Sequence, residues 1–219
     1  FRRVLFRSIL GYGKDKQAWM SVEGTDAAMI KNTRGSQLRL VGGLVKVLGF
    51  APVKLDRATL FFELGQMKID TLRFKPKDAG DGTLEFANAI DLYSKESSKL
   101  KMTLDRFPLE VLLGDGLGKV INGLVETDEN SLNRVLTLTP GEYNTFSIQL
   151  GFRGSDRDAL SIKNFPFLSD LSRELQDRDF NNSYVFSDRV EGELLRGGDQ
   201  ITIKGLHFEK EGSFVVKGE

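Results

Sequence analysis

The octets Met67-Lys68-Ile69-Asp70-Thr71-Leu72-Arg73-Phe74 and Ile201-Thr202-Ile203-Lys204-Gly205-Leu206-His207-Phe208 decide the reading of this chain. Their apolar residues fall at matching positions, a constant 134 residues apart (201 − 67, 208 − 74). In each octet the apolar residues recur two apart, then three apart, then two apart. A strand alternates its faces with a period of two, so the step of three means one inserted residue, a β-bulge that twists or bends the sheet. Asp56-Arg57 and Asp188-Arg189 stand upstream at a separation of 132 (188 − 56). The unit is a helix, a loop and several bulged antiparallel strands, occurring twice. Repetition of this kind implies an elongated β array that continues beyond both ends of the sequence.

Between the two copies the alternation persists. Leu84, Phe86, Ile90 and Leu92 share one face, with Glu85, Ala87, Ala89 and Asp91 on the other, and Leu100, Met102 and Leu104 alternate with Lys101, Thr103 and Asp105. Polar, turn-rich stretches at 77–82 and 94–98 connect these strands into an antiparallel meander. Further strands are expected at 135–139, 146–152, 185–195, 200–208 and 213–217. Two segments have helical spacing: Ser36 to Phe50, through Leu38, Val41, Leu44, Val45 and Leu48, and Phe165 to Leu175, through Phe167, Leu168 and Leu171. Phe107 to Val120, with Gly114, Gly116 and Gly118, reads as a loop and a helical turn at the edge of the sheet. The fold class is therefore mainly β with a few short helices: bulged antiparallel sheets forming an elongated, open-ended trough, with a closed β-sandwich as the alternative. Residues 1–8 (Phe1-Arg2-Arg3-Val4-Leu5-Phe6-Arg7-Ser8) are set aside as a non-native or disordered stretch. Residues 9–145 form a first helix-plus-meander module and 146–219 a second, truncated at its C-terminal end.

Composition narrows the function by exclusion. The 219 residues carry 31 Lys and Arg against 31 Asp and Glu, a formal net charge of zero that argues against nucleic-acid binding. With no cysteine and one histidine, thiolate metal sites, a cysteine nucleophile and most histidine chemistry drop out. Gly114-Asp115-Gly116-Leu117-Gly118-Lys119 fails the phosphate-loop pattern, since Val120 follows the lysine, and reads as a turn. His207 lies on the polar side of its strand. Asp78, Asp81, Asp177 and Asp179 belong to turns and do not fit a calcium loop. Trp19 and Met20 are packing residues. No apolar run approaches the roughly 20 residues that span a bilayer, so any anchor lies outside this sequence. No catalytic, metal or cofactor residues are expected, and the chain is read as a non-enzyme.

The segment from Phe186-Ser187-Asp188-Arg189-Val190-Glu191-Gly192-Glu193-Leu194-Leu195 through Arg196-Gly197-Gly198-Asp199 to Leu206-His207-Phe208, ending in Val216-Lys217-Gly218-Glu219, resembles the AsmA-like C-terminal region of AsmA- and TamB-type bacterial envelope proteins. Residues 55 to 104 repeat its pattern more loosely, and Phe165-Pro166-Phe167-Leu168-Ser169-Asp170-Leu171 and the stretch from Leu44 to Phe50 resemble the segments placed before each copy. Gly197-Gly198-Asp199 departs from the Asp-Gly turn common in that family. The resemblance implies a periplasmic protein, anchored to the inner membrane by a segment outside this fragment. It would bind or conduct phospholipid acyl chains between inner and outer membranes and support outer-membrane biogenesis. The alternative is a structural or assembly module of the envelope with a closed core. The candidate groove-lining residues are Leu84, Phe86, Ile90, Leu92, Leu100, Met102, Ile201, Ile203 and Phe214.

Overall fold

The computed structural model describes residues 4–9, 20–31, 33, 35–47, 49–78, 80–139, 146–155, 159–163, 170, 173–174, 183–186, 189–198, 200–210 and 214–218. The chain is mostly β, and every strand pairing is antiparallel. β1 (Val4–Ile9), which overlaps the stretch 1–8 set aside at the N-terminus, pairs with β2 (Met20–Lys31). Beside β2 runs a strand in two pieces, β3 (Ser36–Val41) and β4 (Leu44–Val47), and both pieces pair on their far side with β5 (Val53–Glu63). β6 (Gln66–Pro76), β7 (Thr83–Asp91) and β8 (Ser98–Asp105) extend the meander. β9 (Phe107–Pro108) then leads into α1 (Leu109–Leu117).

β10 (Ile121–Thr127) and β11 (Arg134–Leu138) lie in line along one side of β12 (Ser147–Gly154), with β9 bonded to β10 and β8 to β11. β13 (Leu160–Lys163) and β14 (Ser183–Phe186) pair with each other, and β13 also pairs with the start of β10. β15 (Arg189–Gly197) returns to the other side of β12, followed by β16 (Gln200–Lys210) and β17 (Phe214–Gly218). Among the described residues β1 pairs only with β2, β14 only with β13 and β17 only with β16, which leaves one side of each of these strands open. β2, β3, β5 and β4 close a ring of pairings only because β3 and β4 are two halves of one strand.

The repeat places a bulge at nearly the same point in both copies. β6 slips register by one residue against β5 between Thr71 and Ile69, and β16 slips by one against β15 between His207 and Lys204. Gly205, at φ 55, occupies the second slip. The effect on the first copy is that Leu55 faces Phe74, Ala58 faces Leu72 and Leu60 faces Ile69, all on one side of the sheet.

The helix expected from Ser36 to Phe50 is absent; those residues form β3 and β4. Gly42 and Gly43, at φ 71 and 107, interrupt the strand and shift its phase by one residue. Leu40 before the break and Val45 after it therefore both pack into the core, and the slip in a period of two imitates helical spacing. From Phe107 the expected helical turn is the nine-residue α1, kinked at Gly114. Asp170, Arg173 and Glu174 are helical, while the rest of the helix expected from Phe165 to Leu175 lies outside the described residues, as do Trp19, Asp177 and Asp179.

One apolar cluster runs through the molecule from Val22 to Phe208, with Met102, Phe107, Leu109, Val125, Leu150, Leu160, Phe186 and Leu194 fully buried in it. The opposite face is polar. It carries ion pairs such as Lys75 with Asp56 at 3.2 Å and Arg73 with Glu85.

Candidate functional site

The apolar face is organised in rows that run across the strands. Met29, Leu38, Leu60 and Ile69 stand opposite one another across β2, β3, β5 and β6. Leu100, Leu136, Ile148, Arg196 and Ile201 do so across β8, β11, β12, β15 and β16. A neighbouring row joins Leu55, Phe74, Leu84 and Leu104. With strands about 4.8 Å apart, each row is roughly 14 to 19 Å long.

Burial changes along these rows. At the β8–β16 end Leu100, Ile148 and Leu194 are at most 4% exposed. There α1 contributes Leu109, Val111, Leu112 and Leu113 to the core, and the Phe186 ring of β14 packs 5.2 Å from Phe208 of β16. At the β2–β7 end Leu38, Leu60, Phe62, Met67 and Ile90 are half-buried, and Met29 is 59% exposed. The apolar face is thus filled around α1 and partly uncovered toward one set of strand ends in β3 and β5–β7, while Leu55, Ala58, Ile69, Phe74 and Leu84 of the same meander stay buried and Leu136, Ile201 and Ile203 are half-buried.

Arg196 sits within the filled end at an inward position, 4% exposed. It occupies the place that Phe62 holds in the first copy of the repeat, since Phe62 pairs with Met67 as Arg196 pairs with Ile201. Its guanidinium donates to the carbonyl of Leu112 in α1, to Gly49 O at 2.5 Å in the β4–β5 connection and to Gly198 O at 3.4 Å. It also lies 3.8 Å over the Phe50 ring, which packs 5.2 Å from Phe146. A rigid fork of five N–H groups on a permanent cation suits such a junction of backbone carbonyls and aromatic faces. It ties α1 to two separate parts of the sheet.

α1 bends at Gly114 to reach this junction, with φ 73 and ψ −170. Only glycine adopts that conformation readily, and a Cβ there would overlap the Gly49 carbonyl. Gly114→Ala is therefore expected to lower stability by about 2–4 kcal/mol in urea unfolding, from strain plus displacement of the Gly49 turn.

The expected lining residues fall into distinct groups. Leu84 and Phe86 pair across β7–β8 with Leu104 and Met102, and Phe86 meets Phe74 edge-on at 6.1 Å. Leu84, Leu100 and Met102 are buried, Met102 completely, whereas Phe86, Ile90, Ile201 and Ile203 are half-buried. Leu92 does not join them. Asp91 ends β7 by accepting hydrogen bonds at Oδ1 from Tyr93 N and Ser94 N, at 3.0 and 3.1 Å, and Leu92 turns out at the hairpin tip, 42% exposed. Phe214 opens β17, and its side chain lies outside the description. Sequence reasoning omitted Met29, Leu38, Leu60, Phe62 and Met67, although the period of two and the repeat identify Met67 and Phe62 as inward.

A hollow of about 420 Å³ beside the bulged part of β6 lies on the polar face, lined by Arg57, Asp70, Thr71, Arg73, Glu85 and Lys101 among others. Its lining suits water and ions, not acyl chains. His207 lies on that same face, with Nε2 3.0 Å from Glu209 Oε2. Among the described residues no group of three acidic or imidazole side chains is placed to hold a metal ion, and no helix is long and apolar enough to cross a membrane. Comparison of the chain with protein-family models, with curated proteins and with solved structures gave no match.

Proposed function

We propose that this chain is a non-enzymatic, AsmA-like lipid-binding module of the bacterial periplasm that holds phospholipid acyl chains along the apolar face of an open-ended, trough-shaped sheet. On this reading it serves lipid passage between inner and outer membranes and outer-membrane biogenesis, with its membrane anchor in a segment outside the sequence. The observation that carries the reading is uneven burial within the meander: its apolar side chains are buried around Leu55, Ala58, Phe74 and Leu84 and only half-covered toward the strand ends beside residues 63–66 and 91–98. Half-buried Leu38, Leu60, Phe62, Met67 and Ile90 leave apolar surface that a tail would cover at about 0.8 kcal/mol per CH₂. The polar opposite face keeps the module wetted.

The filled β8–β16 end favours a second reading, a structural module whose face is closed by its own elements. A photoactivatable phosphatidylcholine separates the two. Under the lipid reading its cross-links map to β3, β5, β6 and β7. Met67→Glu and Ile90→Glu each reduce the yield at least fivefold while shifting stability by no more than about 2 kcal/mol, because their half-exposed carboxylates reach water. Labelling confined to the polar face, or none, supports the closed module.

A further inference from the structure

Five of the large apolar side chains that stand exposed, Met29, Phe61, Leu64, Leu92 and Tyr93, lie toward the same end of the β2–β8 meander. Leu64 is 95% exposed and Tyr93 85%. Their exposure is built and not loose. Leu64 holds φ 48, a left-handed conformation that glycine or asparagine would adopt with less strain. Leu92 N donates to Gly65 O at 2.8 Å and so ties the β7–β8 tip to the β5–β6 turn. The Tyr93 ring covers Gly65 so closely that a Cβ there would overlap it, and Asp91 and Ser94 fix the tip by accepting backbone N–H bonds.

Resting on the lipid-binding reading, we propose that these two hairpin tips dock on a lipid bilayer and form the mouth through which an acyl chain passes onto the apolar face. Continuity identifies the occupant: Phe62, Met67 and Ile90, opposite one another and half-buried, lead from the apolar rows straight to the tips. The side chains suit an interface, with Leu64 and Leu92 to enter the acyl boundary and the Tyr93 ring to rest at headgroup depth. Within the two tips, 63–68 and 91–99, Lys68, Lys95 and Lys99 balance Glu63, Asp91 and Glu96, and Lys31 at the neighbouring end of β2 adds one positive charge, so apolar insertion leads the binding and anionic lipid is not required.

The test is sedimentation of the full chain with phosphatidylcholine vesicles, with and without phosphatidylglycerol, alongside binding of a monomeric fluorescent fatty acid. The native chain is expected to bind both vesicle types. The L64G/Y93S double variant should partition at least tenfold less while binding the monomeric probe as before. Glycine relieves the strain at 64, so L64G alone should melt no lower than the native chain, which separates lost docking from unfolding. Unchanged vesicle binding by the variant overturns the docking edge and leaves the lipid-binding reading standing. So does a native chain that takes up the probe but ignores vesicles, or self-association lost in L64G without vesicle binding. Failure to bind either vesicles or probe overturns both.

Discussion

Met102→Asp is expected to leave no folded protein. Met102 is fully buried, opposite Phe86, within the apolar cluster that reaches from Val22 to Phe208. A carboxylate placed there must either protonate or remain charged in an apolar site, and either costs several kcal/mol on top of the lost packing. Net stabilities of domains are about 5–15 kcal/mol, so this one change consumes most of the margin. The expected result is loss of the cooperative urea transition and protein recovered in inclusion bodies, whereas Met102→Leu, which conserves volume, should cost less than about 1.5 kcal/mol. A cooperative transition near the native midpoint for Met102→Asp would mean that the apolar face at β8 is open. It follows that lipid binding must be probed at half-buried Met67 and Ile90 and not at Met102.

Arg196→Met should have the second largest effect. The substitution keeps much of the side chain's apolar volume but removes the donors to Leu112 O and Gly49 O. Buried carbonyls left without donors typically cost about 1–3 kcal/mol each, so a loss of roughly 2–5 kcal/mol is expected in urea unfolding. Its location distinguishes it from a general loss of packing: amide exchange should rise in α1 and around Gly49-Phe50, while β5–β7 keep their protection. Arg196→Lys should recover only part of the loss, since an ammonium cannot serve diverging carbonyls or stack on Phe50 as a planar fork does. Uniform exchange across the sheet would contradict the role given to Arg196 as the tie between α1 and two separate parts of the sheet.

The strands of this fold were legible in proportion to how local their signal is. The octets at 67–74 and 201–208 show both alternation and slip, and the register shifts in β6 and β16 fall where the slips are. At 36–50 the same logic misled, because Gly42-Gly43 changes the phase of a strand and the apolar spacing across the break mimics a helix. The spacing from Ile90 continues to Leu92, yet Asp91, followed by Tyr93 and Ser94, is a turn-forming signal that ends the strand one residue earlier. The filling of one end was not legible at all. It depends on Arg196 reaching Gly49 across 147 residues and on α1 bending at Gly114, and neither contact leaves a periodicity. Arg196 carries no signal in the sequence that marks it as a buried tie, and its reason lies entirely in the tertiary structure.

The claim that a lipid occupies the half-covered apolar face is tested most directly by purifying the chain without detergent and quantifying lipid in an organic extract by mass spectrometry. The account predicts phospholipid at close to one molecule or more per chain, falling at least fivefold in the folded Met67→Glu and Ile90→Glu variants. A native protein that unfolds cooperatively and carries no lipid would contradict it.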